Sequence, residues 1–112
     1  MKYPRYPAQR DVAQWVDYNF GHTPLAVTTL GLSEEVGELS RAVLKREQGI
    51  RGTYDEWTAE IAKELGDVMI KLLDVAEMAG FDLQTVTALR WEAVSKRNFR
   101  ADPKAHGLPE AS

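Results

Sequence analysis

Two long segments, residues 24–47 and 54–79, repeat apolar residues at the three- and four-residue spacing of a single helix face, and little more than the stretch "GIRGTYD" separates them. Two long helices with so short a connection pack antiparallel, which excludes most fold classes at once. Their limits carry local signals. Thr23-Pro24 reads as an N-cap followed by proline at the first helical position. Gly49 and Gly80 are stop residues, and Thr53 and Glu56 stand at capping-box spacing. A shorter helix is predicted over 8–18, with Val12, Trp15 and Val16 on its apolar side, before the break "NFGHTP". Asp82 caps a fourth helix that runs to about residue 98. Pro4 and Pro7 keep the first residues irregular, and "ADPKAHGLPEAS" makes a loose tail from about residue 100. Strand-like alternation and internal repeats are absent. The expected fold is all-α: an antiparallel helical bundle of about four helices, in one domain spanning 1–112.

Charge and composition narrow the function. The net charge of −3 argues against a nucleic-acid polymer as partner, because such binders are usually basic. A small phosphorylated ligand stays open, since a bound cation inverts the local sign. With no cysteine there is neither a disulfide nor a thiolate metal site. Neither a membrane-spanning apolar run nor a signal-peptide core can be read in the sequence, so a cytoplasmic location is expected.

The long helices share an unusual feature. On the first, Gly31, Glu35, Glu38 and Ala42 form one stripe, beside the apolar stripe Leu32, Val36, Leu39 and Val43. On the second, Glu60, Glu64, Asp67 and Lys71 form the matching stripe, beside Ile61, Leu65, Val68, Leu72 and Val75. Each helix thus carries two carboxylates one turn apart at the margin of its core face. In antiparallel neighbours the four converge. Converging carboxylates repel. They take up protons, pair with cations or bind a hard metal. An all-oxygen set suits Mg²⁺ or Mn²⁺, and the small residues Gly31, Ala42 and Gly66 leave room for a ligand. A di-iron bundle fits less well, because it requires Glu-x-x-His. Against any metal stands the plain fact that E-x-x-E is common on solvated helices.

"EEVGE" (Glu34 to Glu38) and "ELGD" (Glu64 to Asp67), with 25 residues between Glu38 and Glu64, resemble the E-E-x-x-E … E-x-x-D signature of the MazG-like all-α nucleoside triphosphate pyrophosphohydrolases. "LSEEVGELSRAVLKREQGIRG", "EIAKELGDVMIKLLDVAEMAGFDL" and "RWEAVSKRNF" are similar to family segments in the same order, over roughly residues 30–99. The resemblance implies Mg²⁺-dependent cleavage of a nucleoside triphosphate between its α- and β-phosphates. It implies Glu35, Glu38, Glu64 and Asp67 as metal ligands and Glu34 as a catalytic residue that orients the attacking water or holds a further metal. Lys96, Arg97 and Asn98 fall near a basic/Asn patch that contacts phosphates in relatives, though the family often arranges Lys and Asn somewhat differently there. Members form homodimers or dimers of dimers. Phosphoribosyl-ATP pyrophosphohydrolase is a related activity that the same motif allows.

Other residues divide between functional and structural readings. Lys71 is placed to contact a phosphate or to pair within the acidic stripe. Trp15, Phe20 and His22 are candidates for a base pocket, although Trp15 also suits core packing and a lone histidine in a break is commonly solvated. Lys45, Arg46 and Arg51 are a solvated helix end or collect a triphosphate. Met69, Ile70, Leu73, Met78, Leu89 and Trp91 place apolar surface on several sides of the last two helices, which calls for a second copy of the chain. The competing function is a non-catalytic helical oligomerisation or regulatory module. The presence of all four signature acids favours the enzyme.

Overall fold

The computed structural model describes residues 3–102 and 104, so the expected tail from about residue 100 lies mostly outside the described residues. The described residues form four helices and no strand: α1 (Gln9–Phe20), α2 (Leu25–Gln48), α3 (Tyr54–Ala79) and α4 (Leu83–Val94).

The caps explain most of the limits. Thr53 Oγ1 accepts from the Glu56 N–H at 3.1 Å, and Glu56 Oε1 accepts from the Thr53 N–H at 3.0 Å. This reciprocal pair satisfies two donors that α3 cannot satisfy itself. At the other end Gly80 takes φ +84, where a side chain would be strained, and its N–H returns to the Ala76 and Glu77 carbonyls. Gly49 closes α2 in the same way at φ +68.

Three limits differ from expectation. Pro24 rather than Thr23 caps α2: its ψ of 147 is extended, and its carbonyl accepts from the Val27 and Thr28 N–H groups. The Thr23 hydroxyl turns instead to the Thr28 hydroxyl, 2.9 Å away. α1 runs to Phe20, beyond the predicted residue 18, before Gly21 turns the chain. α4 stops at Val94, short of residue 98: the Arg97 N–H turns back to the Val94 carbonyl at 3.1 Å, and further on Asn98 Oδ1 accepts from the N–H groups of Arg100 and Ala101.

Packing divides the chain into two units, one ending at Phe81 and one beginning at Asp82. The second unit contains α4, with Asp82 accepting from the Thr85 N–H at 3.0 Å. In the first unit α3 is the element on which the other two helices pack. Gln9 Nε2 donates to Glu77 Oε1 at 2.9 Å and to the Phe81 carbonyl, which joins the start of α1 to the end of α3. α2 and α3 are antiparallel: Gly31 lies beside Lys71 near one end, and Arg46 Nη1 donates to Thr58 Oγ1 at 3.1 Å near the other. Trp57 anchors the connection, donating from Nε1 to the Ile50 carbonyl at 3.0 Å.

The contact between α2 and α3 takes in both stripes in part: Leu32, Leu39, Ile61, Val68, Leu72 and Val75 are half-buried. Ala42 and Glu64 are buried, whereas Val36, Val43 and Leu65 of the expected core stripes are exposed, Leu65 by 54%. Gly31 and Ala42 carry little bulk, and the Lys71 side chain lies over Gly31, where a Cβ would stand 3.4 Å from it. Glu64 is enclosed in the helix contact, while Glu35 and Asp67 are half-buried and Glu38 stays at the margin.

Candidate active site

Antiparallel pairing places Glu35 of α2 opposite Glu64 and Asp67 of α3. One carboxylate oxygen from each of the three lies within 4.8 Å of the others. Glu64 is only 3% exposed and Glu35 and Asp67 are half-buried. One oxygen each of Glu35 and Glu64 (Oε2) is enclosed and has no hydrogen-bond partner among the described residues. Enclosed carboxylate oxygens without partners are costly, and a cation satisfies them. An oxygen-only donor set of this kind fits a hard divalent ion.

The electrostatics describe the same strain. Burial, then the charges of Glu38 and Asp67, push the Glu35 carboxyl above its ordinary range, with Lys71 opposing. Glu64 is pushed up to about 7, first by its hydrogen bond with Glu60, then by burial and by Glu38. Lys63 opposes this, 3.8 Å from Glu64 and 3.4 Å from Glu60, but it is exposed and such a pair contributes little.

A stability prediction follows from the sign of these shifts. A carboxyl whose folded pKa lies above its unfolded value binds a proton more tightly in the folded state. The stability it adds is present below pH 4.5 and is lost as pH rises through about 7. The metal-free protein should therefore melt at a lower temperature at about pH 8 than at about pH 5.5. Circular dichroism melts in chelator check this, and Glu64→Gln should flatten the dependence. An unchanged slope in that variant would contradict the assignment.

The remaining sequence candidates are placed as follows. Glu38 is exposed and lies outside the three-acid group, but its charge reaches both Glu35 and Glu64, and it lines a cavity of about 350 Å³ with Arg41, Trp57, Lys63 and Glu64. Arg41 lies over the Trp57 ring at 5.5 Å. Glu34 is exposed and lines a second cavity, of about 520 Å³, on the other side of the cluster, with Phe20, Gly31, Lys71 and Asp74. His22 lines a third, of about 430 Å³, against α1. Trp15 is exposed and packs edge-on to Phe20, 5.8 Å between ring centres, so it is not a core residue. Lys96, Arg97 and Asn98 belong to the second unit, in the turn after α4, where Lys96 pairs with Glu92 at 3.6 Å.

Sequence reasoning missed Arg41, which needed the helix pairing to be seen, and Asp74. The latter had a signal: it continues the stripe Glu60, Glu64, Asp67, Lys71 by one more step along α3.

A sequence model of the MazG nucleotide pyrophosphohydrolase domain matches residues 24–101. The chain belongs to the MazG family. The same comparisons matched no curated protein and no solved structure. The MazG match contains the three clustered acids together with Glu34, Glu38 and Lys71, and it reaches through α4. It begins at Pro24, so α1 with Trp15, Phe20 and His22 lies outside it. No described helix is long and apolar enough to cross a membrane.

Proposed function

We propose that this MazG domain is a metal-dependent nucleoside triphosphate pyrophosphohydrolase that releases a nucleoside monophosphate and pyrophosphate. The observation that carries this reading is the Glu35, Glu64 and Asp67 cluster, with two enclosed oxygens that have no hydrogen-bond partner among the described residues, inside the family match. A purely structural module has no use for such a strained group. Glu35, Glu64 and Asp67 would hold Mg²⁺ (or Mn²⁺), with Glu38 as the adjoining fourth carboxylate. When bound, the ion neutralises phosphate charge and lowers the pKa of a bound water.

The cavities on either side of the cluster differ in character, which gives the groove a direction. Arg41 and Lys63 on one side suit the β- and γ-phosphates, and Lys71 on the other suits the α-phosphate. Phe20, beyond Lys71, offers a face for the base, with Trp15 bracing it and His22 in the adjoining cavity. Glu34, on the Lys71 side, orients the attacking water and takes its proton. Water adds to the α-phosphorus, the bond to the α–β bridging oxygen breaks, and pyrophosphate leaves toward Arg41 and Lys63. Lys96, Arg97 and Asn98 are assigned further phosphate contacts through the family resemblance. A cytoplasmic location goes with a nucleotide substrate. The assembled form is a homodimer or a dimer of dimers.

A panel of nucleoside triphosphates with Mg²⁺ tests the reading. Monophosphate and pyrophosphate are the expected first products, and chelation should stop turnover. In ¹⁸O-labelled water the label should enter the monophosphate. Orthophosphate with a diphosphate as first products would refute attack at the α-phosphorus.

A further inference from the structure

One buried charge takes no part in the chemistry above. Asp74 is 2% exposed, and its Oδ2 is enclosed with no hydrogen-bond partner among the described residues. Its neighbours do not account for it. Lys71, one turn earlier, favours the ionised form by its charge but makes no ion pair with it within 4 Å. The nearby hydroxyls of Thr23 and Thr28 bond to each other. Burial accordingly pushes the Asp74 carboxyl above its ordinary range. Asp74 forms part of the wall of both cavities on the α1 side of the site.

Position indicates which part of a substrate would meet it. Asp74 follows Asp67 by seven residues, two turns along the same face of α3 and about 10 Å along the axis. This is the span from an α-phosphate to the far edge of a base. The cavity wall here includes Phe20, Val27 and Leu30, apolar surfaces suited to a flat ring, whereas the cavity on the opposite side of the cluster is polar, with Arg41 and Lys63 among its acids.

Resting on the reading of the site as a triphosphate pyrophosphohydrolase, we propose that Asp74 reads the base by accepting a hydrogen bond from an exocyclic amino group. A carboxylate accepts from the amino group of cytosine or adenine and repels the carbonyl oxygen that replaces it in uracil or hypoxanthine. Asp74 is thus a specificity residue, and the site prefers amino-bearing nucleotides.

Two substrate pairs differ at this substituent: dCTP against dUTP, and dATP against dITP. The wild-type chain should favour the amino member by about tenfold or more in kcat/KM, the value of one good polar contact. Asp74→Asn, nearly the same shape, presents both a donor and an acceptor and should bring the ratios close to one while pyrophosphate release from dUTP persists. Equal use of both members by the wild type, or a preference that survives in Asp74→Asn, overturns the proposal. If the wild type hydrolyses none of the four, the pyrophosphohydrolase reading fails instead. Titration with the non-hydrolysable α,β-methylene analogues of dCTP and dUTP then decides the role of Asp74. Tighter binding of the dCTP analogue that is lost in Asp74→Asn supports it, and equal or absent binding overturns it.

Discussion

Asparagine in place of Asp67 is expected to lower pyrophosphate release by at least about tenfold, because loss of even a residue that merely supports a metal ligand costs about 10–100-fold. Asp67 is one of three acids whose oxygens meet within 4.8 Å, and it faces Glu35 across the α2–α3 contact. The substitution keeps the side-chain shape and removes one charge. Two opposite effects should appear together. Binding of Mn²⁺, read by calorimetry, should weaken, since an amide oxygen is a poorer donor than a carboxylate. The metal-free melting temperature should rise, since the Asp67 charge is one of those pushing up the Glu35 carboxyl. Glu38→Gln, outside the three-acid group, should cost less than Asp67→Asn. Full turnover in Asp67→Asn would remove the cluster from the active site.

Light scattering at micromolar concentration is expected to give at least twice the mass of one chain. The apolar stripes of α2 and α3 are covered only in part, and Ile70 beside them is also open: Val36 is 44% exposed, Leu65 54% and Ile70 44%. The buried apolar residues of the described chain are only Val12, Ala42, Leu73 and Ala76, too few to account for the apolar content of helices of this length. A second copy presenting the same stripes would cover them by an isologous contact. Leu65→Glu places a charge in that contact and should shift the mass to that of one chain. A wild-type chain that scatters as a monomer would show that the exposed stripes have another role.

Much of the helical framework was legible because its signals are local. The capping box at Thr53 and Glu56, the αL glycines at Gly49 and Gly80, and the Asp82 cap each act over a few residues of backbone and need no partner from elsewhere. The limits that shifted are those where two local options compete. Pro24 suits either a cap or a first helical position, and after Val94 the Arg97 N–H takes a tighter three-residue bond in place of the helical one.

The sequence by itself determined that the acids lie in stripes on two long helices, since three- and four-residue spacing decides which side chains share a face. It also determined the family, through "EEVGE" and "ELGD" in that order. How the stripes share the helix contact was decided only by the tertiary structure. Hydrophobic pattern favoured Leu32, Val36, Leu39 and Val43, but Val36 and Val43 are exposed while Ala42 and Glu64 of the acidic stripes are buried. The same step grouped Glu35, Glu64 and Asp67 while leaving Glu38 to one side, a distinction of position across two helices that spacing along one helix does not contain. It also enclosed Asp74. An aspartate reads as a surface residue until the packing of α1 and α2 on α3 shuts it away from water, and only then does its unpartnered oxygen acquire meaning.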